Sequence, residues 1–132
     1  MRHAMNNTTF GFEELEVWKK SRSLKNEIRS LTRTFPADEK FKLADQLIRS
    51  SRSINALISE GHGRYSYPDQ THFCVQARGS LTETMNHLID ACDEGYISSE
   101  ELVTFKTKGK ELERMLNGYL SFLRKKRDEE SR

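Results

Sequence analysis

Apolar residues recur along this chain at alternating steps of three and four, the spacing that lines side chains along one edge of an α-helix. The first such seam reads Val17, Ser21, Leu24, Ile28, Leu31 and Phe35. It predicts a helix from about Glu13 to Arg33, with Glu13, Glu14 and Glu16 near its positive end. Phe35-Pro36 stops it, because a residue before proline avoids the helical region. A second seam of Ala44, Leu47, Ser51, Ile54, Ile58 and Gly61 predicts a helix from Asp38 to Gly61. After a link containing Gly63, Ser66 and Pro68, a third helix is expected from Pro68, which suits a first turn, to Asp93. Its seam reads Cys74, Ala77, Leu81, Thr84, Leu88 and Ala91, and Gly95 is placed to cap it. The fourth helix opens with a capping box, Ser98-Ser-Glu-Glu101, flanked by Ile97 and Leu102 as a hydrophobic staple. Its seam is Leu102, Phe105, Gly109, Leu112, Leu116, Tyr119 and Leu123, and it is predicted to end in Arg124-Lys-Lys-Arg127, cations at a negative helix end.

Four seven-residue repeats joined by short links predict an all-α fold: an antiparallel, up-down-up-down, left-handed four-helix bundle. The 132 residues fit one domain able to bury its own core. The bundle is expected over residues 12–127, between a flexible tail at 1–11 and a frayed tail at 128–132. Met5 is a second candidate start, which leaves residues 1–4 outside the native chain if translation begins there. Apolar surplus lies off the seams at Leu15, Trp18, Phe41, Ile48, Leu57, Met115 and Phe122. Those residues either widen the core stripe or form a subunit interface.

Composition narrows the class. Hydrophobic residues make up 35% of the chain and charged residues 32%, as thin seams between wide charged faces require. No apolar run reaches the ~18 residues of a membrane span, and the N-terminus lacks a signal peptide's apolar stretch. Cys74 and Cys92 fall on one predicted helix, roughly 27 Å apart at ~1.5 Å per residue, too far to be bridged. Free, buried thiols fit a reducing cytoplasm.

The net charge of +2 conceals alternating blocks. Residues 18–64 hold eleven cations and five anions, residues 65–101 one cation and seven anions, and residues 102–132 nine cations and five anions. On the first helix Trp18, Arg22, Lys25, Arg29 and Arg33 share one side. A basic stripe with an aromatic ring suits a phosphate backbone with a base stacked on the ring. Arg49 and Arg52 add to the second helix. Lys106, Lys110 and Arg114 form a stripe on the fourth, and Arg124, Lys125, Lys126 and Arg127 a terminal patch. Each stripe has a plainer reading as a solvated face, and Glu27 and Glu113 interrupt the pattern.

Catalytic chemistry finds less support. A di-metal bundle site needs Glu-x-x-His on each of two helices, whereas Glu83 and His87 are four apart and occur once. No cofactor or metal is therefore expected. Cys74 sits on a seam and reads as an inert thiol. No glycine-rich loop follows a strand, because no strand is predicted. The chain reads as a non-enzyme.

Ser53-Ile-Asn-Ala-Leu-Ile-Ser-Glu-Gly61, Gly63-Arg64, Phe73, Ala77-Arg-Gly-Ser-Leu-Thr-Glu83 and Gly95-Tyr-Ile97, with Phe12-Glu-Glu-Leu-Glu-Val-Trp18 and Phe35-Pro36, resemble the "four helix bundle protein" family. Its members are similar to ribosomal-protein-like products of intervening sequences in bacterial large-subunit rRNA genes. The resemblance spans Phe12 to about Leu123. It implies an antiparallel bundle, homopentamers, and kinship with the accessory variability determinant of diversity-generating retroelements, which binds nucleic acid and a reverse transcriptase. It implies no catalytic residues. Its signature positions Asn55, Glu60, Gly61, Gly79, Ser80 and Glu83 are read as structural. Gly79 and Ser80 are assigned to close helix contact, and Glu60 and Glu83 to hydrogen bonds across helices two and three or to a neighbouring subunit. The expected function is a non-enzymatic homo-oligomer binding RNA or DNA through its basic faces. The alternative is an oligomeric scaffold that recruits a protein such as a reverse transcriptase.

Overall fold

The computed structural model describes residues 8–131. Residues 1–7 of the tail expected over 1–11, and the alternative start at Met5, lie outside the described residues. Four helices carry the fold: α1 Glu16–Thr32, α2 Leu43–His62, α3 Tyr67–Asp93 and α4 Ser99–Glu130. No strand occurs among the described residues.

Local chemistry sets the boundaries. α1 begins later than predicted, because a 3-10 turn at Gly11–Glu14 and an extended Leu15 precede it. That turn is closed by the Glu13 carboxylate, which accepts the Phe10 backbone N–H at 2.8 Å. α2 also begins late, behind a second 3-10 turn at Ala37–Glu39 and an irregular Lys42. Its first residue, Leu43, donates its N–H to the Glu39 carboxylate at 3.1 Å. Glu39 also accepts the Tyr96 hydroxyl at 2.9 Å, tying this cap to the α3–α4 link.

Both ends of α3 and the start of α4 match their sequence signals. The Ser66 hydroxyl accepts the Asp69 N–H at 3.2 Å, with Pro68 in the first turn of α3. Gly95 ends that helix at φ 78°, and the Tyr96 N–H returns to the Ala91 carbonyl at 2.9 Å, the closing bond of a Schellman turn. Ser98 and Glu101 complete their capping box at 3.0 and 2.9 Å. α4 continues through Glu130, past the basic run expected to end it.

The helices pack in a ring: α1 on α2 and α4, and α3 on α2 and α4. Pairs across α2 and α3 run in opposite directions, with Ser50 against Thr84, Ser53 against Ser80 and Gly61 against Phe73. Across α3 and α4, Arg78 meets Asn117 and Met85 meets Gly109. Across α1 and α4, Lys20 meets Glu111 and Glu27 meets Lys108. Leu24, Ile54, Leu81 and Leu112, one from each helix, are buried together with the other aliphatic seam residues, Leu102 alone being half-buried. Each such side chain contributes ~1.5–3 kcal/mol by leaving water. Leu120 joins them, although the repeat had favoured Tyr119, which is half-buried.

The off-seam residues divide. Leu15, Trp18, Leu57 and Met115 widen the core, whereas Phe41 and Phe122 remain 84% and 51% exposed. Phe41 is exposed because the start of α2 is displaced past it, leaving it in a turn rather than on a helix face.

Candidate nucleic-acid interface

The first-helix stripe and the second helix meet along one groove. Lys25, Asn26 and Arg29 of α1 face Ile48, Ser51 and Arg52 of α2 across a small pocket. A second pocket, of about 360 Å³, continues from it through the shared residues Arg29 and Ile48. Arg33 and Lys40 also line it, with Thr32, Phe35, Pro36, Ala37 and Ala44. Five cations thus line one cleft: Lys25, Arg29, Arg33, Lys40 and Arg52. No carboxylate is among the lining residues. Glu27, which interrupts the stripe in sequence, turns to the opposite side of α1 and pairs with Lys108 on α4. Like charges gathered along one cleft raise the local potential and favour an anion between them.

At the N-terminal end of the stripe lies an aromatic cluster. The Arg22 guanidinium sits 5.5 Å from the centre of the Trp18 ring. Phe12 meets that ring edge-on at 5.1 Å, and Phe10 stacks on Phe12 at 6.0 Å. Trp18 is half-buried, with the Asn55 amide donating to its carbonyl at 3.2 Å. The ring left open at this end is Phe10, 69% exposed.

The remaining basic residues lie elsewhere. Lys106 and Lys110 border a separate groove between α3 and α4, floored by Leu81, Met85 and Gly109. Glu113 lines that groove too and pairs with Lys110 at 3.5 Å, so its positive charge is partly cancelled. Arg114 is exposed on the same helix. Arg124 and Lys125 line a shallow depression with Asp128 and Glu129. Lys126 pairs with Glu129 at 3.6 Å and Arg127 with Asp128 at 3.2 Å. The structure therefore brings Lys25, Arg29 and Arg33 together, sets Trp18 and Arg22 at their end, and leaves the α4 cations apart. Lys40 and Phe10 carried no periodic signal because both lie outside helices. Arg52 was legible as the residue beside seam position Ser51.

The family-signature residues sort by contact. Gly61 permits close packing, since an added Cβ would lie 2.7 Å from the Phe73 Cβ. Ser80 also sits at a close crossing, 3.0 Å from the Ser53 hydroxyl. Gly79 does not: it faces open space with nothing within 4 Å of an added Cβ, because it falls on the outer side of α3. Nor do the two glutamates bond across α2 and α3. Glu60 pairs with Arg64, just past the end of α2, and Glu83 with His87 along α3, each at 3.1 Å, since both glutamates point outward.

Cys74 and Cys92 are free thiols. Burial pushes the Cys74 thiol up to about 11, despite nearby Arg78 and Arg124. Among the described residues, no group of three His, Cys, Asp or Glu side chains is placed to hold a metal ion. No helix among them is long and apolar enough to cross a membrane.

Fold and groove together define a class: an all-α helical-bundle protein with a cation-lined cleft between two of its helices. The chain belongs to the 23S rRNA-intervening sequence protein family, whose model matches residues 13–118. It is also similar to a protein of unknown function from the S23 ribosomal protein family of Bacteroides thetaiotaomicron. The two are 25% identical, the match covers 79% of this chain and 97% of that one, and the TM-score is 0.73. No curated protein matches the chain.

Proposed function

We propose that this protein is a non-enzymatic, cytoplasmic, self-associating bundle that binds RNA or DNA through the α1–α2 groove. The observation that carries the reading is the convergence of Lys25, Arg29, Arg33, Lys40 and Arg52 on one cleft with no carboxylate in its lining. Phosphates entering it would replace the repulsion among these side chains with charge-assisted hydrogen bonds, and arginine forks suit them geometrically. The rRNA-linked family supports RNA as the first ligand to try. Binding to an rRNA fragment should weaken linearly in log–log form as salt rises. Arg29→Glu should reduce it most, because Arg29 lines both pockets. Absence of measurable binding at low salt would remove the proposal.

The groove cations and the helix-four basic residues Lys106, Lys110 and Arg114 would then serve one homo-oligomer, a pentamer on the family resemblance. A second reading is a scaffold for a protein partner such as a reverse transcriptase. What favours it is exposed apolar surface on α4, at Val103 and Phe122. Light scattering separates the two: the scaffold predicts that neutralising the groove changes mass, and the nucleic-acid reading predicts that it changes only binding.

A further inference from the structure

We infer that the groove's ligand is a single-stranded nucleic acid whose path continues past Arg22 to place one unpaired base on the Phe10 ring. The inference rests on the nucleic-acid reading above and deepens it. Sequence pattern pointed to Trp18 as the stacking ring, but that ring is half-buried, with Arg22 at 5.5 Å from its centre and Phe12 on its edge. Phe10 is the open member of the same contiguous cluster, stacked on Phe12 at 6.0 Å with most of its surface in water. It is also held in place. Its backbone N–H donates to the Glu13 carboxylate at 2.8 Å, and its carbonyl accepts the Glu13 N–H at 3.0 Å. A fixed, exposed aromatic ring at the end of a phosphate track is the arrangement by which proteins hold single strands, because every base has a face to stack. Bases inside a duplex have both faces covered, so a duplex would have to unstack a nucleotide to use Phe10. The cleft also lies between two packed helices and carries cations on both walls, which suits one backbone rather than two.

The full chain is titrated at low salt with oligouridylate, oligothymidylate and a duplex of equal length. Single strands are expected to bind more tightly than the duplex. Phe10→Ala should weaken single-strand binding roughly tenfold, the weight of one stacked base, and leave duplex binding unchanged. Phe10→Trp should restore it. Because Phe10 is exposed, its truncation removes little packing, and a circular dichroism spectrum like that of the parent confirms the fold. Tighter binding of either single strand than of the duplex, lost on Phe10→Ala, supports the inference. If duplex and single strands bind equally and Phe10→Ala changes neither, the single-strand assignment fails while the groove stands. If no probe binds and Arg29→Glu has nothing to abolish, the groove reading fails with it.

Discussion

Gly61 brings α2 so near α3 that a methyl group on it would lie 2.7 Å from the Phe73 Cβ. That neighbour is anchored to the backbone and cannot swing aside. Gly61→Ala is therefore expected to destabilise the fold by ~1–3 kcal/mol, the usual cost of overpacking. Gly79→Ala, on the open side of α3, should instead stabilise by ~0.5–1 kcal/mol, since alanine is the better helix former. Urea unfolding of both variants tests the contrast, and equal effects would refute it.

The α2–α3 interface also holds a buried hydroxyl pair. Thr84 Oγ1 donates to Ser50 Oγ at 2.9 Å and lies 2.8 Å from the Ser80 carbonyl. Thr84→Val keeps the shape and removes the donor, at ~1 kcal/mol. In a double-mutant cycle with Ser50→Ala, the coupling energy should be clearly non-zero; simple additivity would show that the pair does not interact.

Replacing Lys25, Arg29 and Arg52 together with alanine should lower the log–log salt slope by roughly 2, at ~0.7 per phosphate contact on a single strand. The same number of replacements among Arg124, Lys125, Lys126 and Arg127 should lower it less, because two of these side chains already face carboxylates. Equal slopes would mean that the α1–α2 groove is not the main track.

The Glu39–Tyr96 contact links folding to pH. The Leu43 N–H and the Tyr96 hydroxyl hold the Glu39 carboxyl below its usual range. The Glu39 carboxylate in turn pushes the Tyr96 phenol up to about 12. Glu39 stabilises the fold above the ordinary carboxylate pKa of ~4, and that contribution fades as pH falls through its lowered value. The Tyr96 contribution is complete below ~10 and is lost as pH rises toward about 12. Tyr96→Phe should flatten both limbs of the stability–pH curve, with the larger change on the alkaline side. A variant whose curve keeps the parent's shape would show the contact to be unimportant.

Much of this molecule was legible in one dimension. The seams Leu24, Ile54, Leu81 and Leu112 are buried because a repeat of seven specifies which edge of a helix must leave water. The cap at Ser98 and the stop at Gly95 follow from local hydrogen bonds and from glycine's freedom at positive φ. The starts of α1 and α2 were not legible. Each follows a 3-10 turn and depends on a glutamate: Glu13 closes its own turn on the Phe10 N–H, and Glu39 caps the Leu43 N–H that opens α2, held in turn by Tyr96 from beyond the far end of α3.

The sequence by itself determined the all-α class, the four seams and the stripe Arg22, Lys25, Arg29 and Arg33, because each is a matter of spacing along one helix. Only the tertiary structure decided that Arg52 and Lys40 join Lys25, Arg29 and Arg33, that Glu27 turns away to Lys108, and that Phe10 rather than Trp18 is the open ring. Those outcomes depend on which helix lies beside which, and on what the neighbour leaves uncovered. Periodicity along a single segment carries no information about either.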